Sequence, residues 1–254
     1  MFESVKSYIE SLELKEHQSI ALSVTNFDKK HHYIFNEDEE FYPASLIKLF
    51  AAVLAKEKLP EAQLEEFSQN DIQVAIRNSL EESDNDALSL VYDFISDSSS
   101  GIYDKKTFPS FAKSRKAIVK ELQSKGFSDS LALHNKCYSY APYGKDLKLF
   151  LKEGSNKALI IDIEKIMLTI INEQADLLES MLREGNCEQS EFIYKGLEGD
   201  KIDFFYSKAG WTTSVRHDVA YFSYQGQKYL LVILTKGLSE DKDFIPKLAQ
   251  SVFA

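Results

Sequence analysis

Ser45-Leu-Ile-Lys-Leu-Phe-Ala-Ala-Val-Leu-Ala-Lys-Glu-Lys-Leu59 is the stretch on which the fold turns. Apolar residues at Leu46, Ile47, Leu49, Phe50, Val53 and Leu54, closed by lysines and Pro60, spell a buried helix with a defined stop. Upstream, Ser19–Phe27 and His32–Asn36 alternate as paired strands do, with Asp28-Lys29-Lys30-His31 as the turn. Before them, Phe2, Val5, Ile9 and Leu12 recur at helical spacing. Downstream the 3.6-residue pattern predicts helices over Asp71–Leu80, Asp84–Ile95, Phe111–Gly126, Gly144–Lys152 and Asp162–Glu184. The last sixty residues change character. Asp203–Ala209, His217–Tyr224 and Lys228–Leu234 read as strands, with Gln225-Gly226 where a hairpin turn is wanted, and Asp241–Phe253 as a closing helix. Strands at both ends and helices between them imply an α+β fold: an α/β/α sandwich around one antiparallel sheet built from the N- and C-terminal segments, with an inserted helical lobe. We expect a single module, with an α/β lobe at 1–40 plus 195–254 and a helical lobe at 41–194.

The 254 residues can bury a proper core, and shares of 44% hydrophobic and 28% charged residues are ordinary for a globular protein. A formal charge of −10 argues against a nucleic-acid or anionic-membrane partner, because phosphate binding needs a basic face. A small anionic molecule could still find local lysines. The two cysteines, Cys137 and Cys187, read as ordinary thiols, since a stapled secreted fold usually shows more and a zinc site needs closer spacing. Residues 1–19 carry Glu3, Lys6, Glu10, Glu13, Lys15 and Glu16, without the apolar core or cleavage site of a signal peptide. A cytoplasmic protein is expected, a removed leader being the alternative. No seam for association is visible, which makes a monomer the default.

Chemistry enters with Ser45 and Lys48. Ser-x-x-Lys occurs three times, at Ser45, Ser110 and Ser239, but only Ser45 opens a long apolar helix, where backbone N–H groups are free and the helix dipole favours negative charge. Three residues on, Lys48 shares its helical face. A serine hydroxyl is a poor nucleophile until a base takes its proton, and a lysine kept partly neutral by burial can do so. Farther along stand Ser83-Asp84-Asn85, where Ser83 or Asp84 also suits a helix N-cap, and Lys208-Ala209-Gly210-Trp211.

In that order the three stretches resemble the tripartite signature of serine β-lactamases and penicillin-binding proteins. The likeness is greatest to the class A-like branch, and the aromatic segments Asn135–Gly144 and Lys208–Tyr221 resemble a subgroup common in cyanobacteria. The resemblance implies a β-lactamase/transpeptidase-like fold, a small-molecule substrate and no cofactor or metal. It implies Ser45 as nucleophile, Lys48 as its base, Ser83 as a proton relay and Lys208 as a tuning and substrate-binding charge. Asn85 would bind a substrate amide, Gly210 would let substrate backbone lie on the strand, and Arg216 would bind a carboxylate. The N–H groups of Ser45 and Trp211 would form the oxyanion hole. Two departures stand out. Ala209 lacks the hydroxyl most members carry there, and residues 131–144 lack the loop glutamate that class A enzymes use to activate the deacylating water. Nominal β-lactam hydrolysis with slow deacylation is therefore expected. The alternatives are a cytosolic peptidase, amidase or esterase acting on a small carboxylate-bearing substrate, and a non-catalytic penicillin-binding or sensing module. His217 and Asp218 are expected to tie their strand to a neighbour.

Overall fold

The computed structural model describes residues 2–61, 68–139, 141–183 and 192–254. Its strands are β1 (Ser19–Asn26), β2 (His31–Phe35), β3 (Leu182–Arg183), β4 (Ile202–Trp211), β5 (Val215–Tyr224) and β6 (Gln227–Lys236). They form one sheet in the order β2-β1-β6-β5-β4-β3, each neighbouring pair antiparallel. The N-terminal pair therefore adds to the C-terminal strands at β6, as the expected topology requires. At the β5–β6 turn, Gln225 and Gly226 have φ of +52° and +71°, the double left-handed turn that suits strand twist.

The helices are α1 (Glu3–Glu10), α2 (Ile47–Lys58), α3 (Gln69–Glu81), α4 (Asn85–Ser96), α5 (Phe108–Ser124), α6 (Gly144–Glu153), α7 (Ile160–Glu173), α8 (Asp176–Glu179) and α9 (Phe244–Phe253). The predicted Asp162–Glu184 helix is shorter than expected. The apolar pattern does continue, burying Leu177, Leu178 and Met181, but the ladder breaks at Gln174-Ala175, which accept from the Leu177 and Leu178 N–H groups, and a separate short helix, α8, follows. Leu182 and Arg183 then pair with β4, and Glu184 lies outside the described residues. Periodicity reports which side chains are buried, not how far one hydrogen-bond ladder runs.

The chain divides into two compact units: Met1–Leu46 with Leu159–Met167 and Met181–Ala254, and Ile47–Ala158 with Leu168–Ser180. In the first, one face of the sheet buries Leu22, Val24, Ala209, Phe222 and Ile233 against Val5 and Ile9 of α1 and Ile245, Leu248 and Val252 of α9. On the opposite face the start of α7 is tied down by Thr25 donating to Glu164 (2.9 Å). Covered on both sides, β5 and β6 are buried along most of their length rather than at alternate residues.

In the second unit every residue of α2 from Ile47 to Ala55 is buried, the mark of a helix inside a core. Truncating one such leucine, Leu49, to alanine would cost about 2–5 kcal/mol. α3 opens on a reciprocal capping box between Ser68 and Asp71, and Asp84 caps α4 by accepting from the Asp86 and Ala87 N–H groups. Among the described residues no helix is long and apolar enough to cross a membrane.

Candidate active site

The predicted residues fall into two groups, one in each unit, and the chain passes from one to the other between Leu46 and Ile47. In the Ile47–Ala158 unit the centre is Lys48, on the first turn of α2 and fully buried. Its ammonium donates to the Ser83 hydroxyl (3.0 Å), the Asn85 side-chain carbonyl (2.8 Å) and the Ser83 backbone carbonyl. Burial pulls its pKa down from 10.5 to about 8, against the opposing pull of Cys137 and Asp84. Asp84 itself spends its carboxylate on the α4 cap. Ser83 stands at φ +55°. A left-handed serine costs about 1–3 kcal/mol and persists only where its surroundings impose it; here both of its oxygens accept from Lys48.

Beside Asn85 lies a pocket of about 250 Å³, whose walls include Asp86, Ser89, Lys136, Cys137 and Tyr143. The wall from Asn135 onward is pinned. Asn135 and Asn156 exchange backbone–side-chain bonds (3.0 and 2.6 Å), and buried Lys136 donates to Ser89 and to Ser100 (2.6 Å). Lys136 also lies 3.9 Å from Asp93, which pairs with the fully buried Arg115. Asp146 is buried and accepts from the Tyr138 hydroxyl (3.2 Å), while Glu153 pairs with Lys116 (3.1 Å). Cys137 lines the pocket; Cys187 lies outside the described residues.

In the other unit Ser45 occupies a short 3₁₀ turn, Ala44–Leu46, that runs straight into α2. The turn is closed by the Leu46 N–H donating to the Pro43 carbonyl (3.0 Å), and Ala44 takes φ +47°. From Pro43 to Phe50, Ser45 alone is not buried. Gly210 of β4 backs this turn so closely that a Cβ there would sit 2.9 Å from the Ser45 nitrogen and 3.1 Å from the Pro43 oxygen. Glycine is required at 210 for that approach. The first and third motifs therefore meet backbone to backbone.

Lys208 is fully buried, and with Gly210 it faces away from the α1/α9 core. Ala209 points into that core, so the missing hydroxyl belongs to a position packed among apolar side chains. Arg216 pairs with Trp211 and Asp218 with Ala209, which puts Arg216 on the face opposite Lys208. Its guanidinium lies 4.0 Å from the centre of the Phe192 ring. The structure does not bring Arg216 and Lys208 together on one face, and a carboxylate site made by both is not what it shows. The Trp211 side chain is 57% exposed.

His217 shares the face of Lys208 and is fully buried. Its Nε2 lies 2.8 Å from the Tyr42 carbonyl, and its Nδ1 accepts from the Thr235 N–H (3.0 Å). Those partners assign the neutral Nε2–H tautomer, and burial holds the pKa down at about 4. The ring thus clamps the strand entering the Ser45 turn to β6, with Phe41 edge-on at 6.1 Å. Asp218, also buried, accepts from the Ile193 N–H (3.1 Å); desolvation lifts its pKa to about 7, against that bond and the charges of Lys208 and Arg216. The expected tying role of His217 is what the structure displays. Its partner Tyr42 carries no sequence signal, because a backbone carbonyl 175 positions away leaves no pattern.

A sequence model described as the Beta-lactamase enzyme family matches residues 63–254. The chain belongs to that family. Three solved structures are similar along nearly their whole length. PBP-A gives a TM-score of 0.69 at 16% identity, covering 100% of this chain and 95% of its own. The chromosome-encoded β-lactamase of Vibrio parahaemolyticus gives 0.69 at 14%, covering 98% and 97%. A variant of the last common ancestor of Gram-negative class A β-lactamases gives 0.68 at 14%, covering 98% and 96%. At such identities they establish the β-lactamase/transpeptidase fold alone. No curated protein sequence matches. Within this β-lactamase-family chain the matched span starts after Ser45, so that residue's candidacy rests on its turn and on Gly210. Among the described residues no group of three or more His, Cys, Asp or Glu could hold a metal ion.

Proposed function

We propose that this β-lactamase-family chain is a serine hydrolase that forms an acyl-Ser45 intermediate with a small carboxylate-bearing amide or ester, β-lactams included, and releases it slowly. The observation that carries this reading is Lys48. A buried amine with a pKa of about 8 is neutral in about a tenth of molecules at pH 7 and can accept a proton from a hydroxyl one helical turn away along the chain. In the proposed cycle the Ser45 oxygen bonds to the substrate carbonyl carbon while its proton passes to Lys48. Ser83, already bonded to Lys48, delivers its proton to the leaving nitrogen or oxygen as that bond breaks and takes the proton from Lys48 in its place. Asn85 orients the substrate amide, Lys208 supplies the charge for its carboxylate, and the Ser45 and Trp211 N–H groups stabilise the oxyanion. Arg216 is given no first role, since its side chain packs on Phe192.

Slow release is supported by the fate of three carboxylates, while a fourth, Asp86, is exposed on the pocket wall. Asp84 caps α4, Asp146 takes the Tyr138 hydroxyl, and Glu153 is paired with Lys116. Residues 131–144 contain no Asp or Glu. Intact-mass spectrometry after incubation with a penicillin or a reporter acyl ester tests the proposal. One adduct per chain, persisting for minutes and absent from Ser45→Ala, is expected. No adduct with any reagent defeats the acylation claim, and turnover without a detectable adduct defeats slow release. An adduct never hydrolysed would favour a penicillin-binding sensor.

A further inference from the structure

The acidic total hides a strong asymmetry. Between residues 101 and 153 the chain carries 11 Lys or Arg against 5 Asp or Glu, a net +6, leaving 19 against 35, or −16, for everything else. The single arginine of that segment, Arg115, is fully buried, so its exposed cations are all lysines.

Among the described residues the same segment also carries most of the large apolar side chains left in solvent: Ile102 is 87% exposed, Leu151 70% and Tyr143 65%, with Tyr103, Leu147 and Phe150 near 40%. Tyr143, Leu147 and Leu151 follow at intervals of four, one stripe along α6, with Phe150 beside it. Leu149 and Asp146 face the interior instead. Lys148 and Lys152 flank the stripe on its other side. α6 therefore presents a second apolar face in addition to the one it buries.

Loop and helix make one surface. The Lys145 N–H donates to the Gly101 carbonyl (3.0 Å), and Gly144 packs on that carbonyl so closely that a Cβ would lie 1.9 Å from the oxygen. Tyr103 packs at a tilt on Phe108 (5.5 Å between ring centres) at the start of α5, and a cleft of about 340 Å³ runs on between Phe108, Lys113, Lys116 and Lys152. The acids on this face are already engaged. Asp104 accepts from the Lys106 and Thr107 N–H groups at the head of α5, and Glu153 pairs with Lys116 (3.1 Å) and lies 3.7 Å from Lys152.

We propose that this face docks on an anionic lipid surface, with Ile102, Leu147 and Leu151 entering the headgroup boundary and the lysines facing the lipid charges. The choice of lipid over an acidic protein follows from the residue types. Protein interfaces favour arginine and are depleted in lysine, whereas lysines flanking protruding aliphatic side chains are the composition of interfacial helices. Net charge alone had pointed away from membranes; its uneven distribution reverses that reading for this one face.

Sedimentation of the full chain with vesicles of phosphatidylcholine, with and without 30% phosphatidylserine, tests the proposal. The protein should pellet with the anionic vesicles only, and 0.5 M NaCl should release it. Lys113→Glu/Lys148→Glu/Lys152→Glu should weaken binding by about 100-fold or more, at about five-fold per lysine lost. Leu147→Ser/Leu151→Ser should weaken it about ten-fold and leave the salt dependence in place. Unchanged melting temperatures and unchanged acylation by a reporter ester certify that both variants are folded, since none of these residues serves the proposed chemistry. Failure to bind anionic vesicles overturns the proposal, as does binding indifferent to the lysine reversals. Patch-dependent binding of soluble poly-glutamate without vesicle binding would overturn it in favour of an acidic protein partner.

Discussion

Lys48 and His217 are both fully buried, yet one is held near its point of charge change and the other far from it. Around Lys48 the helical unit places three acceptors: a hydroxyl, an amide oxygen and a backbone carbonyl. Cys137 and Asp84 act against the desolvation cost, and the pKa stays near 8, in reach at neutral pH. Around His217 the sheet unit supplies one backbone donor and one backbone acceptor, a pair that fits the neutral ring and leaves a second proton without a place. Burial alone therefore does not mark a reacting group. The partners decide whether the buried group is poised to exchange a proton or is fastened as scaffold.

The largest expected effect is at the poised end. Lys48→Arg keeps a cation for the same acceptors but removes the ability to take a proton, and the acylation rate should fall about 1,000-fold. A variant that acylates at the parental rate would show that Lys48 is scaffold as well. Next is Gly210→Ala. Its Cβ would press on backbone atoms of the Ser45 turn, which cannot yield as a flexible side chain can. Acylation should fall about 100-fold, the scale of a displaced oxyanion donor, with about 1–3 kcal/mol of stability lost in urea unfolding.

Much of this was legible in advance, for identifiable reasons. Asp84 as an N-cap, the Gln225-Gly226 turn and the strand–helix–strand order depend on local chemistry that a sequence displays. The three motifs could be found because the proposed acyl transfer needs particular residue types. Arg216 shows the limit. Its residue type suited a carboxylate, but its face depends on a register that pairs it with Trp211, and a shift of one residue turns a side chain to the other side. The His217–Tyr42 clamp and the Lys136–Asp93–Arg115 cluster join distant segments through backbone carbonyls or single side chains, and neither leaves a periodic trace.

The scaffold end makes its own prediction, of a few kcal/mol. His217, lowered from 6.5 to about 4, lends stability that is complete above pH 6.5 and is lost as pH falls toward 4, in all about 3 kcal/mol. Asp218, raised from 3.8 to about 7, acts oppositely: the folded state loses stability as pH rises from about 4 to 7. Between pH 4 and 6.5 the two slopes nearly cancel. Asp218→Asn should therefore show stability climbing through that window, and His217→Gln should show it declining, in melting curves taken at half-unit pH steps. Identical slopes in both variants would remove the distinction between fastened and poised groups. The smallest effect concerns Ser83 at φ +55°. Ser83→Gly and Ser83→Ala both lose the hydroxyl, so glycine should be the more stable by about 1 kcal/mol, opposite to its usual rank against alanine.

The pH dependence of covalent labelling bears most directly on the whole account. Under single-turnover conditions with a penicillin, the acyl group should map to the peptide containing Ser45. The labelling rate should rise about ten-fold per pH unit and level off near pH 8, where Lys48 becomes neutral. A label on another residue, or a rate that is flat from pH 6 to 9, would contradict it.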